Sequence, residues 1–202
     1  MKISIVTGSH RKDSQSAKVG KHLQKRLLAL DLCENAYLLD LGNHEIPFWD
    51  EGIWQGEEKW QSIWKPIEKE LDESDAFIFV SPEWSGMVPA KLKNFFLLTP
   101  PNVVGHKPAL IVAVSASTGG SFPVGELRVS SYKNNRICYI PEHIIVRNVA
   151  EVLNEAEDLN NKSDVYLRGR IDFALSLLKQ YAVALKSVRE NEIDYKKYPY
   201  GM

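Results

Sequence analysis

The sequence predicts an α/β fold in which a parallel sheet is covered by helices on both faces. Two observations support this prediction. Short apolar runs such as AFIFV (residues 76–80) and PALIVAV (residues 108–114) have the continuous apolar character of buried parallel strands. These runs alternate with segments whose apolar residues recur at helical spacing, for example Ile171, Leu175 and Leu178. Strands that alternate with helices favour a parallel sheet between two helical layers.

The elements follow one another along the chain in a regular order. Strands are predicted at 2–6, 36–41, 76–80, 108–114 and 143–146, and helices at 16–30, 60–71, 89–98, 125–136 and 171–185. Pro66 lies inside the second of these helical patterns, so we expect either a kink or a helix that restarts there. Five such strands fit a flavodoxin-like three-layer sandwich with strand order 2-1-3-4-5.

Length and composition limit the function classes. The 202 residues suit one domain, which we place at 1–188, followed by a charged, tyrosine-rich tail at 189–202 that is loose or lies on a neighbouring subunit. A net charge of −1 gives no electrostatic reason to bind nucleic acid or an anionic membrane. No signal peptide or membrane-spanning run is present, so we expect a cytoplasmic protein. Cys33 and Cys138 are too few for a zinc site, and no metal is expected.

In this topology ligands bind beyond the carboxyl ends of the first and third strands. The first loop, GSHRKDSQS at residues 8–16, combines three serines and Arg11 at the start of a helix. Hydroxyls, a guanidinium and a helix N-terminus together suit a phosphate dianion, although an ordinary capped turn would also contain serine. The loop matches neither the Walker A motif nor the glycine pattern of a dinucleotide fold, which disfavours an ATPase or a Rossmann site.

Two further loops follow the third and fourth strands. The second loop, residues 81–89, carries Trp84, which can offer a stacking face, and Gly86, which permits a close backbone approach. A turn whose tryptophan packs into the core is the alternative interpretation. The third loop, residues 115–121, is small and polar, and it either borders a flat ring or is simply flexible.

These segments resemble those of one family. GSHRKDSQS is similar to the GSxRxxSxs loop of the NADPH-dependent FMN reductases, which include quinone, chromate and azo-dye reductases. SPEWSGMVPAKLKNFF resembles the family's PEYNxSxPxxLKNAIDW segment, and DLGNHEIPFWDE resembles its second-strand loop. The resemblance runs from residue 1 to about residue 185.

The resemblance implies bound FMN, NADPH or NADH as co-substrate, and a small acceptor such as free flavin or a quinone. Hydride transfer to the flavin needs orientation more than a side-chain acid or base, so no catalytic residue is named. A homodimer or homotetramer is expected by analogy. The implied contacts are Ser9, Arg11, Ser14 and Ser16 to the phosphate, Pro82, Glu83, Trp84, Ser85 and Gly86 to the isoalloxazine, and Ser115, Gly119 and Gly120 to the ring and ribityl chain.

Three departures from the family pattern leave alternatives open. The family's Tyr-Asn is Trp84-Ser85 here, LKNAIDW has become LKNFFLL, and residues 122–125 (FPVG) replace the usual paired glycines. One alternative is a flavodoxin-type FMN electron carrier without NAD(P)H activity. Another is a non-enzymatic binding protein of the same fold that has lost its flavin.

Overall fold

The computed structural model describes residues 1–191 and 193–201, which form five strands and seven helices. In chain order these are β1 Lys2–Thr7, α1 Gln15–Ala29, β2 Asn35–Asp40, α2 Gly52–Gln55, α3 Glu58–Asp72, β3 Ala76–Pro82, α4 Ala90–Leu98, α5 Pro101–Val104, β4 Pro108–Val114, α6 Ser121–Ser130, β5 Cys138–Val146 and α7 Lys162–Glu190.

The strands form one parallel sheet in the order β2-β1-β3-β4-β5, as the sequence predicts. Ile3 of β1 lies opposite Ala36 of β2 on one side and Ala76 of β3 on the other. The register shifts between Ala109 and Ile111, where β4 meets β5. Because β1 lies between β2 and β3, the connection from β1 to β2 runs along the sheet in the opposite direction to the connection from β2 to β3.

Two cores cover the two faces of the sheet and make the three-layer sandwich. On one face, α1 and α7 pack aliphatic side chains such as Leu23 and Leu175 against the strands. On the other face, the core beneath α3, α4 and α6 is rich in aromatic side chains. Phe79 lies 5.9 Å from Phe95 and Trp64 lies 6.0 Å from Phe95, measured between ring centroids. Both faces are therefore closed to water, as a parallel sheet requires.

Three predicted elements have boundaries that are wrong by several residues. Helix α7 runs from Lys162 to Glu190, whereas its apolar stripe predicts 171–185. Helix α6 begins at Ser121 and ends at Ser130, whereas the sequence pattern predicts 125–136. Pro123 is the third residue of α6, where a missing backbone N–H costs nothing because the first turn has no intrahelical acceptor for it. Strand β5 begins at Cys138, five positions before the predicted 143, and it contains Pro141. An edge strand tolerates proline because one row of its N–H groups faces solvent.

Helix α3 is continuous through Pro66, so the expected restart at that residue is wrong. Pro66 lies on the exposed face of the helix. The carbonyl that loses its partner therefore stays in water, which reduces the cost of an interior proline. On α4 the helix begins at Ala90 with Pro89 as the capping residue, and it ends at Leu98 as predicted.

The C-terminal tail packs against its own chain. Tyr195 stacks on His106 with ring centroids 6.4 Å apart, and the Arg136 guanidinium lies 4.8 Å from the Tyr195 ring. Arg136 also donates to the Tyr198 carbonyl oxygen. Helix α7 continues to Glu190, and the domain boundary after residue 188 stays a prediction. Within the described part of the chain, no helix is long and apolar enough to cross a membrane.

His22 on α1 makes the fold sensitive to acid. Its ring is half-buried, and its Nε2 atom is buried without a hydrogen-bond partner. Burial, together with the nearby Arg168 and Arg26 guanidinium groups, lowers the pKa of His22 from 6.5 to about 4. The unfolded chain therefore takes up a proton on His22 as the pH falls below about 6.5, while the folded chain does not until about pH 4.

We predict that replacing His22 reduces the loss of stability between about pH 7 and about pH 5. A depressed folded-state pKa means that stability falls with pH through this window, and His22→Leu or His22→Gln has no ring to protonate. Urea denaturation at both pH values measures the difference in the free energy of unfolding. A difference as large as that of the wild type in both variants would contradict the assignment.

Candidate functional site

A cleft of about 260 Å³ opens at the carboxyl edge of the sheet, between the loops that follow β1, β3 and β4. This is the point where the strand order reverses, so neighbouring loops leave the sheet in opposite directions. The side chains and backbone that line the cleft are those of Ser9, Arg11, Asp13, Ser14, Gln15, Ser16, Pro82, Glu83, Trp84, Val114, Ala116 and Val149.

The first loop, residues 8–16, presents hydrogen-bond donors to the cleft at the start of α1. Ser14 caps the helix, since its Oγ accepts a hydrogen bond from the Ala17 N–H at 3.0 Å. Ser9 and Ser16 are buried, and Ser9 Oγ accepts from the Arg11 N–H at 3.2 Å. No acidic residue lies in the first turn of α1. The positive end of the helix dipole is therefore not neutralised from within the helix.

Several of these donors have no protein acceptor. Among residues 1–191 and 193–201, the backbone N–H groups of Ser9, Gln15 and Ser16 donate to no protein atom. In the same part of the chain, no carboxylate lies within 4.0 Å of the Arg11 guanidinium. The start of α1 thus combines a free cation with free backbone donors, which is the arrangement that binds an anion.

The second loop, residues 81–89, contains a tight turn. Trp84 and Met87 exchange backbone hydrogen bonds of 3.1 and 2.9 Å, and the two residues between them have positive φ angles, +51° for Ser85 and +72° for Gly86. Two positive φ angles at the centre of a two-residue turn are typical of type I′. Gly86 thus serves the turn, rather than simply giving room for a ligand.

Trp84 faces the cleft and not the core. Its ring is half-buried and lies edge-on to His10 of the first loop, with centroids 4.4 Å apart. The alternative that this tryptophan fills the core is therefore wrong. His10 itself is exposed, and its ring contacts the indole across the mouth of the cleft. The two loops thus meet through an aromatic contact at the cleft mouth.

The third loop, residues 115–120, joins β4 to α6. Ser115 Oγ accepts from the Ser117 N–H at 3.2 Å, and the Gly120 N–H donates to Glu83 Oε2 at 2.7 Å. Gly120 has a φ of +106°, a conformation that L side chains rarely adopt. A Cβ atom at Gly120 would also lie 2.4 Å from the Ile145 side chain. The third loop is therefore packed closely against both β5 and the second loop.

The structure brings together part of the predicted residue set around the cleft. Ser9, Arg11, Ser14, Ser16, Pro82, Glu83 and Trp84 line it. Ser85, Gly86, Ser115, Gly119 and Gly120 lie in the adjoining loops and do not line it. Gly86 lines a neighbouring shallow hollow with Phe122 of α6, whose ring is exposed.

Sequence reasoning missed the contribution of the segment after β5. Val149 lines the cleft, and its N–H donates to the Ser115 carbonyl oxygen at 3.2 Å. Lys18 of α1 holds the same segment, since its Nζ donates to the carbonyl oxygens of Val149 and Val152. Burial lowers the pKa of Lys18. The strand order, which places β5 beside β4, was the signal that could have indicated this segment.

The described residues contain no group of three or more histidine, cysteine, aspartate or glutamate side chains placed to hold a metal ion.

Comparison with known proteins supports the same interpretation of the chain. A family model described as NADPH-dependent FMN reductase matches residues 1–151. A quinone reductase from Pseudomonas putida is 28% identical over 185 residues, which cover 88% of this chain and 94% of that protein.

Solved structures share the fold at low sequence identity. FerB, a flavoenzyme NAD(P)H:(acceptor) oxidoreductase from Paracoccus denitrificans, superposes with a TM-score of 0.69 at 19% identity, covering 91% of this chain and 97% of that chain. RosB with a bound 8-demethyl-8-formylriboflavin-5'-phosphate intermediate has a TM-score of 0.64 at 14% identity, covering 96% of this chain and 88% of that one.

We predict that Gly120→Ala lowers the free energy of unfolding by about 1–3 kcal/mol, because the new Cβ meets Ile145 and the backbone there has a positive φ. Gly125 is a matched control, since it lies inside α6 with no atom within 4 Å of its Cβ position. Gly125→Ala should raise stability by about 0.5–1 kcal/mol, the usual gain in a helix interior. Urea denaturation measures both, and equal effects would contradict the packing described.

Proposed function

The chain belongs to the NADPH-dependent FMN reductase family, and from this premise we propose that the cleft beside α1 holds the FMN phosphate. FMN is the cofactor and NADPH or NADH the co-substrate, so the chain is an NAD(P)H-dependent oxidoreductase. Bound FMN supplies a redox centre that accepts a hydride from a nicotinamide and passes electrons on. What the protein contributes is the placement of the two reactants.

The donor set at α1 fits a phosphate dianion, and this fit is the observation that carries the proposal. The N–H groups of Gln15 and Ser16 have no protein acceptor among the described residues, and the Arg11 guanidinium stands beside them without a carboxylate partner. Ser9, Ser14 and Ser16 add hydroxyls from buried positions. A group with negative charge and several acceptor oxygens satisfies all of these donors at once.

We assign the isoalloxazine to the second and third loops. Pro82, Glu83 and Trp84 line the cleft, but the N–H groups of Glu83 and Trp84 already donate to Val114 and Met87. Within the described residues only Ser85 and Gly86 keep backbone N–H groups without a protein acceptor in this turn. Those two groups are the donors that can stabilise an electron-rich ring, while Trp84 offers its face. Ser115, Gly119 and Gly120 border the ring on the side of β4.

We propose a small acceptor, a quinone or free flavin, that approaches through the hollow beside Gly86 and Phe122. The relative from Pseudomonas putida is named a quinone reductase, which supports this class. The exposed Phe122 ring adds apolar surface to the hollow, as a flat aromatic substrate requires. A flavodoxin-type carrier is not favoured, because the relatives reported above are oxidoreductases that act on small molecules.

The test is an anaerobic absorption spectrum of the purified protein after reconstitution with FMN. We expect the band of bound flavin to bleach on addition of NADPH or NADH, and the faster nucleotide identifies the preferred one. A bound band that neither nucleotide bleaches would favour the electron carrier. Failure to bind FMN at all would overturn the proposal.

In the same assay, Arg11→Ala should weaken FMN binding about 10–100-fold, because a hydrogen-bonded charge is lost from the phosphate. Lys12→Ala is the matched control, since Lys12 is an exposed cation next to Arg11 that does not line the cleft. Fluorescence titration of the apoprotein with FMN measures both dissociation constants. Equal affinities in the two variants would contradict the phosphate assignment.

We also propose that the chain forms a homodimer, or a homotetramer that contains such a dimer, through the surface between α4 and α6. Leu97 on α4 is 66% exposed, and it lines a groove of about 210 Å³ that Glu126 and Leu127 of α6 line from the other side. An exposed apolar side chain beside such a groove is typical of a protein contact.

Sedimentation velocity tests this assembly. The wild-type protein should sediment as a dimer or larger species, and Leu97→Glu should shift it toward the monomer because a charge would be buried in the contact. Val183→Glu, at another exposed apolar position, on α7, should leave the assembly unchanged. A monomeric wild type would contradict the proposal.

We propose a cytoplasmic location because neither cysteine forms a disulfide. Cys33 and Cys138 are both free thiols. Burial raises the pKa of each thiol, so neither is a reactive nucleophile. Free, unreactive thiols fit a reducing compartment. Cell fractionation of the native host tests the location, and recovery outside the cytoplasm would contradict it.

A further inference from the structure

Two side chains of opposite charge hold the third loop from its two sides. Glu83 Oε2 accepts the Gly120 N–H at 2.7 Å from the second loop. Arg147, just beyond β5, donates its Nε–H to the carbonyl oxygen of Thr118 at 2.7 Å and to that of Gly119 at 3.2 Å. We propose that Glu83 and Arg147 are positioning residues that clamp residues 118–120 in the shape that borders FMN. This inference rests on the proposed function.

The contact made by Glu83 corresponds to the carboxylate half of a capping box, supplied from outside the helix. Gly120 is the N-cap residue of α6 and has no side chain that could accept a hydrogen bond from the first turn. The Glu83 carboxylate instead accepts the N–H of the capping residue itself, and it places a negative charge at the positive end of the helix. The Glu83 carboxylate packs closely against the third loop, because a Cβ atom at Gly119 would lie 2.9 Å from Glu83 Oε1.

Arg147 reaches the loop from the opposite side. The residues that follow it run along the third loop, where the Asn148 N–H donates to the Ser117 carbonyl oxygen at 2.9 Å. In the described part of the chain Arg147 has no carboxylate partner, so its hydrogen bonds go to the loop alone. An exposed arginine that is ordered on two backbone carbonyls gives up side-chain freedom, which the hydrogen bonds must offset.

The clamp matters for binding because it orders the loop before the cofactor arrives. A loop that must be ordered during binding reduces affinity by the free energy of that ordering. Residues 118–120 are one threonine and two glycines, which have almost no side-chain atoms to hold them in place, so the two charged contacts fix their backbone. Loss of either contact should therefore weaken FMN binding about tenfold, the effect of one lost charge-assisted hydrogen bond.

The first experiment measures the FMN dissociation constant of the apoprotein by fluorescence titration. Glu83→Ala and Arg147→Met should each weaken binding about tenfold, whereas Glu83→Gln, whose amide oxygen still accepts the Gly120 N–H, should stay within about threefold of the wild type. Arg128→Met is the matched control, since Arg128 also donates to backbone carbonyl oxygens, three of them at 2.8, 2.9 and 3.5 Å, but away from the cleft. It should bind FMN as the wild type does.

The second experiment is hydrogen exchange at residues 118–121 without FMN. Protection should fall in Glu83→Ala and Arg147→Met and persist in Glu83→Gln and Arg128→Met. If the wild type binds FMN and the two clamp variants match it in affinity and protection, the clamp is wrong while the function stands. A Glu83→Gln variant as weak as Glu83→Ala also overturns the clamp. If the wild type fails to bind FMN, the function fails, and the exchange data still decide the clamp.

Discussion

The reversal of strand order at β1 determines where chemistry can occur in this molecule. β1 lies between β2 and β3, so α1 packs on one face of the sheet while α4 packs on the other. The loops that lead into those helices must therefore diverge, and the backbone topology alone opens a crevice between them. The Gly8 N–H closes the bottom of that crevice, because it donates to the Val80 carbonyl oxygen at 2.8 Å. Everything proposed for FMN depends on this separation of the two loops.

Within the crevice, the starts of α1 and α6 differ in whether their backbone N–H groups already donate to protein acceptors. At α1 the first-turn N–H groups have no protein acceptor in the described chain, so this end of the cleft remains electropositive. At α6 the Glu83 carboxylate occupies the equivalent position and accepts the Gly120 N–H. One helix start is therefore open to an anion and the other is neutralised. That asymmetry supports the orientation proposed for FMN, with its phosphate at α1 and its ring toward α6.

The strand order and the position of the first loop beside the cleft could be predicted from the sequence because both depend on local patterns: buried apolar runs for the strands, and serines with Arg11 before an amphipathic helix. The phosphate assignment of that loop stays a prediction. The errors have physical causes too. Pro123 and Pro141 look like helix and strand breakers, yet one lies in a first turn and the other on an edge strand, where proline is tolerated. The contacts of Glu83 with Gly120 and of Arg147 with Thr118 join segments 29–37 residues apart in sequence. No local sequence pattern predicts such contacts.

The turn at Ser85-Gly86 explains one departure from the family pattern. The family has asparagine where this chain has Ser85, and Ser85 has a φ of +51° with its side chain exposed. Asparagine is favoured in that left-handed conformation, and Asn-Gly is the preferred pair for a type I′ turn. Ser85 thus adopts the left-handed conformation, although serine is less favourable there than asparagine. The N–H groups of Ser85 and Gly86 face away from protein acceptors in the described chain. Because the turn and not the side-chain amide presents these donors, the loss of the asparagine leaves in place the two N–H groups proposed to contact the ring.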